Sequence, residues 1–316
     1  MSDKTIERNN KQISMRTAYL FMHVSIFLWG FTGIFGRAIE LKELVLVWYR
    51  LIFTVIFLLL INQFSKRIKK LSWAELKRIV PVGFLVAVHW VLFYGSIKYS
   101  NISIGLSCLS TIAVFTSFLE PIINKSEHNW KEFVFALFAT IGMYIIFQVQ
   151  EFQRTGIILG IGSAVVGSYF TILNARLVKD FPSETVTFYE LSSGLFFITL
   201  ALPFYLLLFP AAKIIPSALD VELLIAFSIL CTVIPFNLSL KSLQKISAYT
   251  SNLYINLEPI YGILAAFIFF HEQNELKPGF YIGSGIILFS VIIYTVIRHR
   301  NQLLKVASSA RKRFRS

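Results

Sequence analysis

The sequence predicts an all-α integral membrane protein with ten transmembrane helices in two inverted five-helix repeats. Three observations support this prediction: the composition, ten apolar stretches of membrane-crossing length, and an internal repeat. Of the 316 residues, 56% are apolar and only 15% are charged. A soluble globular protein of this length needs more polar side chains to cover its surface. The composition therefore places most of the chain in a lipid bilayer.

Ten stretches of the chain are candidates for membrane helices, which need about 20 mainly apolar residues each. The connections between them are short and leave no room for a soluble domain. The first 16 residues are basic, but no small-residue cleavage site follows them, so the first stretch is predicted to be an uncleaved helix. The predicted extents are 17–36, 44–63, 78–97, 101–119, 131–149, 155–175, 185–208, 220–240, 247–270 and 279–298.

The second half of the chain repeats the first half. Residues 166–177 resemble residues 27–38, and residues 188–190 resemble residues 48–50, with offsets of 139 and 140 positions. Two successive apolar stretches are thus related by nearly the same offset. The match is weaker near the end of each half. There an offset of 145 positions places two apolar residues, 113 and 114, opposite the Glu-Pro pair at positions 258 and 259.

This duplication divides the chain into four parts: an N-tail (1–16), a first five-helix repeat (17–149), a second five-helix repeat (155–298) and a basic C-tail (299–316). Because five is an odd number, the second repeat enters the membrane in the opposite direction to the first. Inverted repeats of this kind are typical of secondary transporters.

Basic residues indicate the orientation. Of the 30 Lys and Arg residues, 23 fall in segments on one side of the predicted membrane and six on the other. The positive-inside rule then places both termini in the cytoplasm, and we expect a multi-pass protein of the plasma (inner) membrane. The same rule explains the net charge of +13 without nucleic-acid binding, which is not expected.

Several motifs resemble those of one transporter family. They are residues 27–30 (Phe-Leu-Trp-Gly), residues 48–50 (Trp-Tyr-Arg), and residues 257–262 (Leu-Glu-Pro-Ile-Tyr-Gly) leading to His271-Glu272. From about residue 17 to residue 298, the chain resembles the EamA-type members of the drug/metabolite transporter superfamily.

The resemblance implies a central cavity lined mainly by helices 1, 3, 4, 6, 8 and 9. Members of that family move amino acids or other small metabolites, often outward. It therefore implies a secondary transporter that exports small metabolites such as amino acids by alternating access. A flippase for lipids or hydrophobic solutes, and a membrane scaffold that transports nothing, are the alternatives.

Polar side chains at membrane depth are the candidates for the substrate site, because a charge near the bilayer centre costs about 2.5–3.5 kcal/mol and usually faces protein or water. Glu258 precedes Pro259, which interrupts a helix and frees backbone carbonyls. His89 could relay protons, and Trp90 and Tyr94 could stack on a substrate. Each of these residues could instead serve only in helix packing.

Asn252 and Asn256 lie four residues apart on one predicted helix face and would suit hydrogen bonds to a zwitterion. The predicted substrate-binding residues are His89, Trp90, Tyr94, Asn252, Asn256 and Glu258.

A second group of residues is predicted to serve in gating or in packing. Arg50 and Glu190 occupy matching positions of the two repeats, but about 12 Å of depth separates them in a core of about 30 Å, which argues against a direct ion pair. The predicted gating or structural residues are His23, Trp29, Arg50, Glu190 and Pro259.

Enzymatic chemistry is not expected. Residues 271–275 lack the second histidine of a zinc-protease motif, the three aspartates lie in a tail or at helix ends, and no nucleotide-binding motif is present. We therefore predict no metal and no cofactor. The expected partners are a small-molecule substrate and the lipid bilayer. Proton coupling, and the choice between monomer and homodimer, stay open.

Overall fold

The computed structural model of the chain describes residues 13–126, 130–149, 153–255 and 257–290, together with positions 292, 293, 296 and 297. Within these ranges all regular structure is helical. The prediction of an all-α protein is confirmed for this part of the chain.

The main helices are α1 (Met15–Trp29), α2 (Thr32–Ala38), α3 (Glu43–Ser65), α4 (Trp73–Tyr99), α5 (Ile102–Leu109), α6 (Ile112–Asn124), α7 (Trp130–Val149), α8 (Arg154–Asp180), α9 (Ser183–Leu208), α10 (Ala218–Ser228), α11 (Ile234–Ser242), α12 (Ala248–Ile255), α13 (Glu258–Phe270) and α14 (Pro278–Ser290). A π-helical turn (Ile229–Val233) joins α10 to α11, and a 3₁₀ turn (Glu272–Asn274) follows α13.

Seven helical stretches of the described residues are long and apolar enough to cross a membrane: α1 with α2, α3, α4, α5 with α6, α8, α9, and α10 with α11. The helix α7 and the shorter apolar helices α13 and α14 lie where the remaining three crossings were predicted. The protein is therefore a multi-pass helical protein, and ten crossings remain a prediction.

Several predicted crossings are broken near their middle. At the break between α1 and α2, a Cβ on Gly30 would lie 2.7 Å from the Cβ of Tyr261, so glycine permits the close approach of α13. At the break between α5 and α6, Ser110 and Thr111 each donate their hydroxyl to a carbonyl three residues earlier, both at 2.6 Å. Such back-bonding competes with the helical ladder.

The fourth helix of each half begins and ends in the same way. Asn101 caps α5 by accepting from the N–H of Ile104, and Ser247 caps α12 by accepting from the N–H of Thr250. At the other end, Lys125 after α6 and His271 after α13 both adopt the left-handed conformation, with φ of 52° and 54°.

Both pairs of end residues, Asn101 with Ser247 and Lys125 with His271, are 146 positions apart. This offset places Ile112-Ala113 opposite Glu258-Pro259, one residue from the register predicted by sequence. The first half therefore has two apolar residues where the second half has Glu-Pro.

Helices of the two halves pack against each other. The helix α4 packs along α8 and α9, α1 packs along α11, and α5 packs against α13. At Gly83 of α4 a Cβ would lie 2.2 Å from the carbonyl oxygen of Glu190, so the two backbones meet there. The buried core lies between the halves, while large apolar side chains are exposed on the outside, as expected for contact with lipid.

Candidate functional site

A central cavity of about 80 Å³ lies between the two halves. At about 10–15 Å³ for each water, it has room for a handful of water molecules or a small polar group. Its wall contains residues of crossings 1, 3, 4, 6, 8 and 9, the set implied by the family resemblance, and it also contains Arg50 of α3.

The cavity brings together residues that the sequence predicted separately. Four of the six predicted substrate-binding residues and two of the predicted gating residues line it. These are His89, Trp90, Tyr94 and Glu258, together with Trp29 and Arg50.

Two of the other predicted residues are described but do not line the cavity. Asn252 is buried and donates its amide to the hydroxyl of Thr116, at 2.8 Å. His23 is exposed and packs edge-on against the ring of Tyr254, with centroids 5.2 Å apart. Asn256 lies outside the described residues.

The last two predicted residues are buried near the wall. Pro259 lies in the first turn of α13, where the missing N–H would have no helical partner. Glu190 of α9 lies behind the wall and accepts a hydrogen bond from Asn174, which does line the cavity. In the described residues Glu190 and Arg50 form no ion pair with each other.

The guanidinium of Arg50 is fixed by three neutral acceptors. It donates to the hydroxyl of Thr232 at 2.7 Å, to the hydroxyl of Tyr94 at 2.5 Å and to the carbonyl of Cys231 at 3.1 Å. These bonds use the π-helical turn, whose geometry turns the carbonyl of Cys231 and the side chain of Thr232 towards α3. Arg50 is therefore positioned without a carboxylate.

Aromatic rings cover the same guanidinium. Its central carbon lies 3.9 Å from the ring centroid of Trp90 and 4.2 Å from that of Phe227. Cation–π contacts of this kind stabilise a desolvated charge. Within the described residues no carboxylate comes within 4.0 Å of Arg50, so its positive charge is available to an anionic group in the cavity.

Glu258 provides a carboxyl group in the same cavity. Its closest bond is to the hydroxyl of Thr32, at 3.4 Å. That hydroxyl also lies 2.6 Å from the carbonyl of Trp29. A hydroxyl has one hydrogen to donate, and the shorter contact is the better bond. Glu258 is therefore weakly held and free to bind a ligand group.

His89 is held by one ring nitrogen. Its Nδ1 lies 2.8 Å from the carbonyl of Ser163, so Nδ1 carries the hydrogen and the ring is fixed. The ring packs against Phe93 and Phe170. Its Nε2 makes no hydrogen bond to any described residue, and His89 lines the cavity.

A buried carboxylate closes one end of the molecule. Glu272 accepts from the backbone N–H groups of Ile102 and Ser103 at 2.9 and 2.8 Å, from the hydroxyl of Ser103 at 2.7 Å, and from the guanidinium of Arg37. These four residues, which we call the Arg37 latch, join α2, the start of α5 and the turn after α13. A carboxylate at a helix N-terminus is favourable.

The opposite end of the molecule carries a related but weaker closure. The helix α8 begins beside the latch, where Gly156 packs on Ser100. From Gly156 the helix continues unbroken for 20 residues to Arg176, which places Arg176 about 30 Å away. Arg176 donates to the amide oxygen of Asn124, at 2.8 Å, and to the carbonyl of Ile123.

The start of α12 is also bonded at this end, because Glu120 accepts from the N–H of Tyr249 at 2.9 Å. Arg37 and Arg176 occupy matching positions of the repeats, but Arg176 is exposed and donates only to neutral acceptors among the described residues. The wall of the cavity reaches towards this end through Asn174 and Leu243.

Two residues with notable contacts, Asn174 and Glu272, are not among the predicted site residues. Asn174 stands where the first repeat has Phe35, and a polar residue at an otherwise apolar repeat position was the signal that could have found it. Glu272 belongs to a family motif and was also compared with a zinc motif, and neither predicts its capping role. The N–H groups from which Glu272 accepts belong to α5, far away in the chain, so no local sequence signal indicates this role.

Comparisons with known proteins agree with this architecture. The model of the EamA-like transporter family matches residues 16–148 and again residues 154–296. An uncharacterized transporter of Archaeoglobus fulgidus is 24% identical over 294 residues, which cover 89% of this chain and 98% of the relative. Uncharacterized transporter YxxF of Bacillus subtilis is 22% identical over 295 residues, covering 90% and 91%.

A solved crystal structure has a similar fold, with a TM-score of 0.66 at 12% identity, covering 90% of this chain and 99% of that one. At this identity the likeness concerns the fold alone. The family match, by contrast, spans both halves of the chain and coincides with the repeated architecture. The chain belongs to the EamA-like transporter family, within the drug/metabolite transporter superfamily, and it is a membrane transporter.

Proposed function

We propose that this transporter is an alternating-access carrier that exports small zwitterionic metabolites such as amino acids. The observation that carries the proposal is that Arg50 and Glu258 line one cavity between the two halves. Arg50 offers a positive charge without a carboxylate partner, and Glu258 offers a weakly held carboxyl group.

A zwitterion complements this pair. Its carboxylate would bind beside Arg50, its ammonium group would bind beside Glu258, and the rings of Trp29 and Trp90 would contact its side chain. His89 would supply a further hydrogen bond through Nε2. Of the remaining predicted binding residues, Tyr94 orients Arg50, and Asn252 and Asn256 would act from the neighbouring part of crossing 9.

The two ends of the molecule support alternating access. The Arg37 latch closes one end with a buried carboxylate, while the cavity wall extends towards the Arg176 end. Ten crossings in two inverted repeats would allow the two ends to exchange these states. With the basic Arg176 end in the cytoplasm of a plasma-membrane protein, substrate loads from inside and leaves outside.

The test is solute flux across liposomes that contain the purified protein. Vesicles preloaded with a panel of amino acids are assayed for counterflow of the labelled compound. We expect counterflow of at least one zwitterion. Replacement of Glu258 by glutamine should reduce it at least tenfold, about 1.4 kcal/mol, because the amide cannot neutralise an ammonium group.

The matched control is Glu43→Gln, since Glu43 is a buried carboxyl group that accepts from Tyr205 outside the cavity. This control should retain counterflow. Equal counterflow by the wild type and Glu258→Gln would remove Glu258 from the site. Movement of labelled lipid, but of no amino acid, would replace the proposal with a flippase, and no movement of any solute would point to a scaffold.

A further inference from the structure

Glu190 and Asn174 form a buried pair beside the cavity that the proposed substrate site does not use. Asn174 donates its amide to Oε2 of Glu190 at 3.2 Å. Glu190 is completely buried and Asn174 is 1% exposed. The other oxygen of each side chain, Oε1 of Glu190 and Oδ1 of Asn174, has no hydrogen-bond partner among the described residues.

Among the described residues, no positively charged side chain pairs with Glu190. The charged or titratable side chains on the helices packed against it have bonds elsewhere: Arg50 of α3 with Tyr94, His89 of α4 with Ser163, Arg78 of α4 with Asp180 of α8, Arg176 of α8 with Asn124, and Lys241 of α11 with Glu184. On the α4 side the backbone of Glu190 packs closely against Gly83, and the side chain of Glu190 is not exposed to solvent.

The pair therefore lacks one hydrogen-bond donor. An ionised glutamate only accepts, and the amide of Asn174 donates only from its nitrogen. An ionised carboxylate that is buried with one neutral partner is strongly disfavoured. A single proton on Oε1 removes the charge and supplies a donor for Oδ1 of Asn174.

We propose that Glu190 and Asn174 form a proton-binding site, with the proton on Oε1 of Glu190 and Oδ1 of Asn174 as its acceptor. The proton comes from water in the cavity and returns to water, and no other bond forms or breaks. Asn174 lines the cavity next to Thr171, so its orientation links the proton to the substrate site. This coupling rests on the proposed transport function, but proton binding does not.

The first measurement detects the proton without transport. Infrared spectra of the purified protein report the C=O stretching band of a protonated carboxylic acid. We expect the difference between wild type and Glu190→Gln to contain such a band, and the band to shift in heavy water. The C=O band should also shift in Asn174→Leu, because this replacement removes Oδ1, the acceptor for the proton on Glu190. A difference spectrum with only a carboxylate band would overturn the proposal.

The second measurement tests coupling in liposomes. Two rates are measured for each variant: uptake driven by an imposed pH gradient, and counterflow without a gradient. The ratio of the first rate to the second should fall at least tenfold in Glu190→Gln. The control Glu43→Gln should keep the wild-type ratio. An unchanged ratio in Glu190→Gln would overturn the coupling, as would wild-type uptake that responds to a sodium gradient and ignores pH.

The two proposals fail in different ways. If the wild type moves no solute, the proposed function fails, and the infrared band still decides whether Glu190 binds a proton. If the wild type shows counterflow but the band is missing, the carrier stands and the proton site falls. If Glu190→Gln does not fold, Asn174→Leu provides both readouts.

Discussion

The contacts around Arg50 require a guanidinium group, so another basic side chain cannot replace it. Three acceptors surround its nitrogens in different directions, and Trp90 stacks on its flat face. A lysine ammonium has the same charge but lacks the planar fork and stacks poorly. The role of Arg50 therefore depends on shape as well as on charge.

Replacement of Arg50 by lysine should keep the fold and weaken substrate binding. We expect the affinity for a transported amino acid to fall at least tenfold, about 1.4 kcal/mol, because the new ammonium group is not held towards the cavity. Isothermal titration or a scintillation binding assay on purified protein measures this change.

The matched control is Arg78→Lys, an exposed residue that pairs with Asp180 away from the cavity. It should bind substrate like the wild type. Undiminished affinity in Arg50→Lys would show that the guanidinium does not contact the substrate.

Polarity at depth was enough to predict several residues of the cavity wall from sequence. Glu258, His89 and Arg50 were recognisable because charged or titratable side chains are rare inside a membrane protein. Asn174 was recognisable only by comparison with Phe35 of the first repeat, because a single asparagine is ordinary in helix packing. Whether Arg50 points into the cavity depends on the π-helical turn of another crossing, which no local pattern predicts.

At the scale of elements, several predicted crossings consist of two shorter helices instead of one continuous helix. The ten-crossing pattern predicted the positions of the helices within a few residues but, apart from the interruption at Pro259, treated each crossing as continuous. The breaks come from contacts between helices, such as Gly30 against Tyr261, and from hydroxyl groups that bond to their own backbone, as at Thr111. Periodicity contains no signal for either.

The Arg37 latch is the element that we expect to control opening of its end. Replacement of Glu272 by glutamine would leave Arg37 without its buried carboxylate partner. The amide N–H of the glutamine would also face the backbone N–H groups of Ile102 and Ser103. Losing charged hydrogen bonds of this kind costs about 1.5–3 kcal/mol. Opening of that end should therefore become roughly 10- to 150-fold more favourable.

A single-cysteine reporter measures this effect. In a background with Cys108 and Cys231 replaced by alanine, Ser239→Cys puts a thiol in the cavity wall. Glu272→Gln should raise the rate of its modification by an impermeant reagent added at the Arg37 end. Glu275→Gln is the control, since Glu275 is 41% exposed and should change the rate little. Equal rates in both variants would show that Glu272 does not hold the end closed.

At the scale of the whole molecule, the two halves share an architecture but differ in chemistry. The fourth helices have matching caps and breaks, yet Glu258-Pro259 stands opposite Ile112-Ala113. The repeat places a related set of bonds at each end, and we propose that the unmatched polar residues determine what the cavity binds. This difference was visible in sequence, although its register was wrong by one residue, because the end motifs are too short to fix an alignment.

The most direct test of the central claim is whether the one cavity opens to both sides of the membrane. The measurement is the modification of Ser239→Cys, in the same cysteine-free background, by an impermeant thiol reagent applied to either side of oriented vesicles. We predict modification from both sides, with protection from both sides by a saturating transported amino acid. Modification from one side only, in the presence and absence of substrate, would contradict alternating access through this cavity.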